Sequence, residues 1–265
     1  LLARVQFAFT ISFHIIFPAF TIGLSAYIAV LHLLWLKTGQ DKFAALARFW
    51  TKIFAVSFAM GVVSGIVLSY QIGTNWSRFS HVVGNVLGPL LGYEVLTAFF
   101  LEATFLGIML FGWNRVAPWL QALASIVVAV GTATSAFWIL SANSWMQFPT
   151  GHEVRDGIAY PVDWWQIIFN PTFPLRLAHM LTAAYLTTAF VVLATGARHL
   201  ARNIRPEEAR TMMRMAAAMI LVTAPLQLLI GHEHGRRIRN TARPVIVKLI
   251  WEHVIPPGDS SSCAM

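Results

Sequence analysis

The chain of 265 residues is 57% hydrophobic and only 11% charged, with a mean hydropathy of +0.64 and a net charge of +8. Soluble domains are about one quarter charged, so this composition excludes an ordinary soluble domain and indicates a membrane protein. The positive charge does not indicate nucleic-acid binding, because most basic residues lie in short gaps between apolar runs. The single cysteine, Cys263, excludes a disulfide within the chain.

Six apolar runs are each long enough to cross a bilayer, which takes about 20 residues of helix. The runs are continuous rather than alternating, which favours helices over membrane strands. The first run starts almost at residue 1 and is too long for the apolar region of a cleavable signal peptide. The sequence therefore predicts an all-α, polytopic membrane bundle of six transmembrane helices, at residues 5–36, 50–72, 88–112, 118–141, 177–197 and 213–231.

The first predicted helix contains His14, four residues before Pro18. Proline has no N–H to donate to the carbonyl of His14, so we expect a kink and a polar point inside the membrane. A neutral imidazole is a common axial ligand of haem iron, but a histidine hydrogen-bonded to a neighbouring helix fits the same spacing. His32 lies five full turns further on, on the same face, and we expect it at the membrane interface.

Glycines recur at four-residue spacing in the second and third predicted helices. Gly61 and Gly65 form a GxxxG pair, and Gly84, Gly88 and Gly92 continue the spacing. Small residues at this spacing allow close contact between membrane helices. A re-entrant turn is an equally good interpretation of Gly84 and Gly88.

The third predicted helix holds Glu94 and Glu102, the two acidic residues within the six predicted spans. In a regular α-helix, eight residues correspond to about 12 Å of rise and about 80° of rotation, so the two carboxyls would lie on neighbouring faces at different depths. Ionisable residues inside a membrane usually face a bundle interior, a partner or water, and a carboxyl there can carry protons. Alternatively, Glu94 lies at the mouth of the helix and is simply hydrated.

Residues 142–176 form a long gap before the fifth predicted helix. They contain Trp145, Trp164 and Trp165, which are typical of anchors at a membrane interface. His179 follows near the start of the fifth helix, with the same two interpretations as His14.

Basic residues predict the orientation, because cytoplasmic loops carry an excess of lysine and arginine. The gaps after the first, third and fifth helices hold most of them, so we expect these gaps in the cytoplasm and the N-terminus outside. The basic residues in these gaps are Lys37, Lys42, Arg48, Lys52, Arg115, Arg198, Arg202, Arg205, Arg210 and Arg214.

The C-terminal segment, residues 232–265, is polar and basic and is predicted to be a separate, divergent tail after a membrane region at residues 1–231. On the predicted topology this tail lies outside, where a basic cluster is unexpected. The segment GHEHG at residues 231–235 lacks the i, i+4 histidine pair of a zinc protease helix.

Four stretches together resemble subunit I of the cytochrome bd-type quinol oxidases, with the greatest similarity to the cyanide-insensitive branch. The resemblance extends over about residues 1–231. It is carried by RVQFAFTISFH at 4–14, GVVSGIVLSYQIGTNWSRFSHVVGNVLG at 61–88, FFLEATFLGIMLFGWNR at 99–115 and LSANSWMQFP at 140–149.

This resemblance implies a terminal respiratory oxidase of the bacterial inner membrane, which passes electrons from a membrane quinol through haems to dioxygen and forms water. The implied cofactors are a low-spin haem b and two high-spin haems, one of type b and the other of type d or b. The implied partners are subunit II of the oxidase, membrane lipid and quinol, with no nucleic acid.

Particular residues match the motifs of the family. By this resemblance, His14 is the histidine ligand of a high-spin haem and His179 is the histidine ligand of the low-spin haem b. Glu94 and Glu102 match two acidic residues near the high-spin haems that are assigned to the proton route.

Two further residues match positions that contact haem propionates. Asn143 is similar to the asparagine of the family pattern near these groups, and Arg4 matches an arginine before the first helix that pairs with one of them.

The chain also departs from the family pattern. It stops before the methionine that completes the low-spin haem site and before a later glutamate ligand. The last residues resemble the start of the quinol-binding loop only vaguely, and Lys248 and Glu252 are not assigned to the conserved lysine and glutamate of that loop. We therefore expect an N-terminal part of subunit I, inactive on its own. The alternatives are a haem-free proton-coupled transporter that uses Glu94 and Glu102, or a non-catalytic truncated remnant of an oxidase.

Overall fold

The computed structural model describes residues 2–241 and consists almost entirely of helices. Lipid offers no hydrogen-bond partners to a backbone, so apolar runs of this length close their hydrogen bonds within helices. The elements are α1 (Leu2–Thr38), α2 (Asp41–Gly73), α3 (Ser77–Glu94), a π-helical segment (Val95–Phe99), α4 (Phe100–Phe111), α5 (Pro118–Gln147), β1 (His152–Arg155), β2 (Ile158–Pro161), α6 (Trp164–Ile168), α7 (Phe173–Ala201) and α8 (Pro206–Thr241).

Within residues 2–241, six spans are long and apolar enough to cross a membrane, which confirms the predicted all-α bundle. The third span combines α3, the π-helical segment and α4 into one unit from Ser77 to Phe111. It begins before the predicted residue 88, so Glu94 lies near the middle of this span rather than at its mouth. The re-entrant turn considered for Gly84 and Gly88 is wrong, because both residues lie inside α3.

The bundle is organised around α1, which packs against α2, α5 and α7, while α7 pairs with α8. The largest buried side chains of the core come from α1 and α2, including Tyr27, Leu31, Trp50 and Phe54. Apolar side chains from several facing helices therefore form one large cluster with α1 at its centre, and two smaller clusters lie apart from it in the described part of the chain.

The predicted glycine contacts are present on α2 only. A side chain at Gly61 would meet Phe17, and one at Gly65 would meet the ring of His14, so this pair faces α1. At Gly84, Gly88 and Gly92 a Cβ atom would meet nothing within 4 Å in the described part of the chain. The second half of the glycine pattern thus does not form a close helix contact among residues 2–241.

The long gap before α7 is an ordered cap rather than a simple interface loop. An antiparallel hairpin pairs His152 with Pro161 and Arg155 with Ile158, and the carboxylate of Asp163 accepts hydrogen bonds from the first turn of α6. Trp145 is buried under this cap, and its indole donates to the carbonyl of Thr150. The interface role predicted for Trp145 is therefore wrong, whereas Trp165 is 71% exposed.

The last helix passes the predicted start of the polar tail. α8 continues to Thr241, so residues 232–241 extend the sixth helix rather than form a separate segment. The remainder of the predicted tail, with Lys248, Glu252 and Cys263, lies outside the described residues.

Candidate functional site

His14 on α1 is held by the neighbouring helix α2. Its Nδ1 lies 2.9 Å from Oγ of Ser64, whose hydroxyl also lies 2.8 Å from the carbonyl of Met60. A hydroxyl has one proton, so when Ser64 donates to Met60 its oxygen accepts from Nδ1–H of His14. This arrangement leaves the Nε2 lone pair of His14 available to a ligand such as a metal.

The imidazole of His14 fits against α2 because residue 65 is a glycine. A Cβ atom built at Gly65 would lie 3.2 Å from Cε1 of the imidazole. Gly65 therefore leaves room for this ring, while Gly61 lies against Phe17 at the same contact between α1 and α2.

The two glutamates of the third span are separated by the π-helical segment at Val95–Phe99. A π turn acts like the insertion of one residue, which corresponds to about 100° of rotation in an α-helix. The eight-residue separation then resembles about seven α-helical residues, close to two full turns. Glu94 and Glu102 therefore share one face, and the predicted offset of about 80° is wrong.

Both glutamates face the same side of α5. The hydroxyl of Ser135 donates to Oε1 of Glu94 over 2.7 Å. One turn away on α5, Gly131 lies against the Cγ atom of Glu102. Glu102 is 6% exposed, and its Oε1 has no hydrogen-bond partner among residues 2–241.

A second group of polar side chains surrounds His179 on α7. Nε2 of His179 lies 3.2 Å from the amide nitrogen of Gln227 on α8, and the His234 ring centroid is 5.8 Å from that of His179. Arg176, one turn before His179, donates to Oδ1 of Asn143 on α5 over 2.6 Å. The structure thus brings Asn143 and His179, predicted separately, to the same end of the bundle.

The group around His179 contains several buried polar atoms that have no hydrogen-bond partner in the described part of the chain. They are Nδ1 of His179, Nε of Arg176, Oε1 of Gln227 and Nε2 of His234. Buried polar atoms are usually hydrogen-bonded in native proteins, so these four are available to pair with a water, an ion or a ligand.

Two other predicted residues lie apart from these groups. Arg4 is exposed in the first turn of α1, where nearby Gln6 donates to Gln71 of α2 over 3.0 Å. His32 is fully buried between helices, and its ring packs 5.5 Å from that of Trp113, which follows the end of α4. Its position at the membrane interface stays a prediction.

The sequence interpretation missed most of the partners of the site residues. Ser64, Ser135 and Gln227 are single polar residues within apolar helices, and without the helix packing nothing in the sequence pairs them with a particular histidine or glutamate. In the sequence, His234 stands in the segment GHEHG, which does not match a zinc protease helix. His234 lies seven residues after Gln227, which is two helical turns, so the sequence alone indicates that the two side chains share one face of the helix.

Comparison with known proteins agrees with this architecture. The sequence model of the family described as cytochrome bd terminal oxidase subunit I matches residues 2–246. The chain belongs to this family. The resemblance predicted from the sequence is thereby confirmed, while the assignment to the cyanide-insensitive branch stays a prediction.

Several bacterial members of the family are similar in sequence. Subunit 1 of the cytochrome bd-II ubiquinol oxidase of Escherichia coli (strain K12) is 39% identical over 76% of this chain and 40% of its own length. Subunit 1 of the cytochrome bd ubiquinol oxidase of Bacillus subtilis (strain 168) is 40% identical over 74% of this chain and 42% of its own length.

A solved structure confirms the fold. A chain of the bd oxidase from Geobacillus thermodenitrificans superposes with a TM-score of 0.85 at 31% identity, covering 89% of this chain and 55% of that chain. The chain therefore spans roughly half the length of its relatives. Its six spans and its bacterial relatives together indicate a bacterial inner-membrane protein.

Proposed function

We propose that this chain contributes haem-binding and proton-carrying residues to a quinol:oxygen oxidoreductase of the cytochrome bd type. The observation that best supports the proposal is the His14–Ser64 hydrogen bond, because it prepares one ring nitrogen inside the membrane for a metal. The relatives' names, which refer to ubiquinol oxidases, support the quinol substrate.

The residues present fit the haems that the family implies. His14 would hold a high-spin haem through Nε2. His179 would hold the low-spin haem b, with Asn143 and Arg176 near its propionates and Arg4 assigned to another propionate. The unpaired Nε of Arg176 provides a donor for a propionate. Nε2 of His179, whose lone pair accepts from the amide nitrogen of Gln227, would be the ligand nitrogen once that amide is displaced. When bound, haem supplies the electron transfer from quinol to dioxygen.

The glutamates would supply protons to the same reaction, since reduction of dioxygen to water consumes one proton for every electron. Glu102 is the more buried of the two and would hold a proton at rest, because an isolated buried charge inside a membrane protein costs several kcal/mol. Glu94, which accepts from Ser135, lies nearer the start of the span and would receive that proton. A shared helix face shortens the path between the two carboxyls.

A reduced-minus-oxidised spectrum of membranes containing the assembled oxidase tests the proposal. We expect the bands of low-spin and high-spin haems, together with oxygen uptake on addition of a quinol. Absence of haem bands would instead support the haem-free transporter, and haem bands without oxygen uptake would support a non-catalytic remnant.

We further propose that the chain assembles with subunit II in lipid, with its N-terminus outside. The six spans alternate in direction, so the hairpin at residues 152–161 and the α7–α8 connection lie on opposite sides of the membrane. Five arginines near that connection support a cytoplasmic position for it.

Cysteine labelling measures the orientation. After Cys263→Ala, we expect Glu153→Cys in the hairpin to react with an impermeant reagent on intact cells, and Arg202→Cys at the end of α7 to react only after lysis. Both side chains are exposed, so accessibility is matched. The reverse pattern would overturn the predicted orientation.

A further inference from the structure

The contact between α4 and α5 depends on the absence of a side chain at Gly131. A Cβ atom built at this buried residue would lie 2.8 Å from Cγ of Glu102, closer than real Cβ contacts. It would also lie 3.6 Å from Oε1 of Glu102 and 3.7 Å from the carbonyl oxygen of Ala98 in the π-helical segment. Gly131 therefore meets both the glutamate and the backbone turn that precedes it.

The π-helical segment is itself attached to α5. The indole of Trp138 donates to Oγ1 of Thr97 over 2.8 Å, and the Thr97 hydroxyl donates to the carbonyl of Tyr93 over 2.7 Å. The rings of Tyr93 and Trp138 stack with centroids 5.2 Å apart. One face of α5 thus contacts the third span before, within and after the irregular turn.

These contacts occur at successive turns of α5. Gly131, Ser135 and Trp138 are spaced by four and three residues, so they form one stripe along the helix. The stripe meets Glu102, Glu94 and Thr97 respectively. A regular α-helix between the glutamates would rotate one carboxyl away from this stripe by about 100°.

We infer that Gly131 is a positioning residue for Glu102, which acts together with the π-helical segment to hold this carboxyl in line with Glu94 on one face of α5. The inference rests on the proposed function, because it gives the alignment a role in proton transfer. Gly131 itself carries no charged or catalytic group and acts only through the space that it leaves for Glu102.

The test compares Gly131→Ala with Gly107→Ala in the assembled oxidase. Gly107 is a matched control, because it lies on the same helix as Glu102 and a Cβ atom there meets nothing within 4 Å in the described part of the chain. The first measurement is the carboxyl band of Glu102 in a redox-difference infrared spectrum, identified by its loss in Glu102→Gln. The second is oxygen uptake at unchanged haem content.

We expect Gly131→Ala to shift the Glu102 band and to lower oxygen uptake on the order of tenfold, as small misplacements of reacting groups do. Gly107→Ala should leave both measurements unchanged. In the Glu102→Gln background, Gly131→Ala should lower oxygen uptake no further, since the residue through which it acts has lost its proton. An unshifted band and full uptake in Gly131→Ala would overturn the inference.

Two further outcomes separate this inference from the proposed function and from a folding defect. If Glu102→Gln retains full oxygen uptake, the proton role fails, whereas the Gly131 contact can still be read from the infrared band of the parent glutamate. If Gly131→Ala does not assemble, Glu102→Ala in the same chain removes Cγ and should restore haem content. Failure of that double variant to assemble would overturn the inference.

Discussion

The carboxylates on the third span and the polar group around His179 are positioned in two different ways. Around Glu94 and Glu102, backbone geometry sets the positions, through a π turn and a glycine on α5. Around His179, side chains from α5, α7 and α8 set them through hydrogen bonds. The first region should therefore be sensitive to added volume, and the second to lost charge or lost hydrogen-bonding groups.

The two regions also differ in the number of buried polar atoms that have no hydrogen-bond partner among the described residues. A buried polar atom without a partner costs about 1–3 kcal/mol. The group around His179 contains four such atoms among the described residues, on His179, Arg176, Gln227 and His234. In the region of the glutamates, Oε1 of Glu102 is such an atom. Binding of a polar, metal-containing group would therefore offset a larger free-energy cost in the His179 region than in the region of the glutamates.

The largest effect is expected from His179→Ala. Removal of an axial ligand should abolish the low-spin haem b bands in the reduced-minus-oxidised spectrum and quinol oxidation with them. His232→Ala is the control, because that side chain is exposed on the same α8 helix that carries Gln227. Persistence of the low-spin bands in His179→Ala would show that this region does not hold that haem.

Replacement of Glu102 should separate proton transfer from structure in the other region. Glu102→Gln retains the shape but cannot exchange a proton, so we expect oxygen uptake to fall on the order of a hundredfold. Glu102→Asp retains a carboxyl and should lower oxygen uptake much less. Both variants should keep their full haem content, measured as pyridine haemochrome. Equal uptake by Glu102→Gln and the parent would leave Glu102 as a buried hydrogen-bonding residue.

A change of charge at Arg176 should alter the redox potential of the haem proposed for the His179 region and leave the other haems unaffected. With the low-spin haem bound as proposed, the guanidinium of Arg176 would favour the reduced, less positive iron, so Arg176→Gln should lower the midpoint potential of that haem. One charge in a medium of dielectric ~20 contributes about 1–2 kcal/mol at distances on the order of 10 Å, or roughly 40–90 mV for one electron. A redox titration measures this shift in potential, and the potentials of the high-spin haems provide the internal control. An unchanged low-spin potential would place Arg176 away from that haem.

The sequence predicted what depends on composition and spacing. Continuous apolar runs sufficed for the six spans, and buried ionisable residues such as Glu102 stand out because they are costly in a membrane. The π turn was not predictable, because Val95–Phe99 reads as ordinary apolar helix. The partners of His14 and His179 were missed for a related reason, since Ser64 and Gln227 become neighbours only when helices pack.

The smallest effect is expected outside both regions, in the hairpin at residues 152–161, which packs against α3 and over Trp145 of α5. Burial lowers the pKa of His152 below its usual value of 6.5, and its ring packs against that of Trp145. The folded hairpin therefore disfavours the protonated ring, so the stability that it contributes is present above about pH 6.5 and is lost as the pH falls through the folded pKa. We expect amide exchange of residues 152–161, corrected for intrinsic rates, to accelerate on acidification. His152→Gln should abolish this pH dependence, whereas His81→Gln, at an exposed site on α3, should not. A hairpin with the same pH dependence in His152→Gln as in the parent would assign the titration to another group.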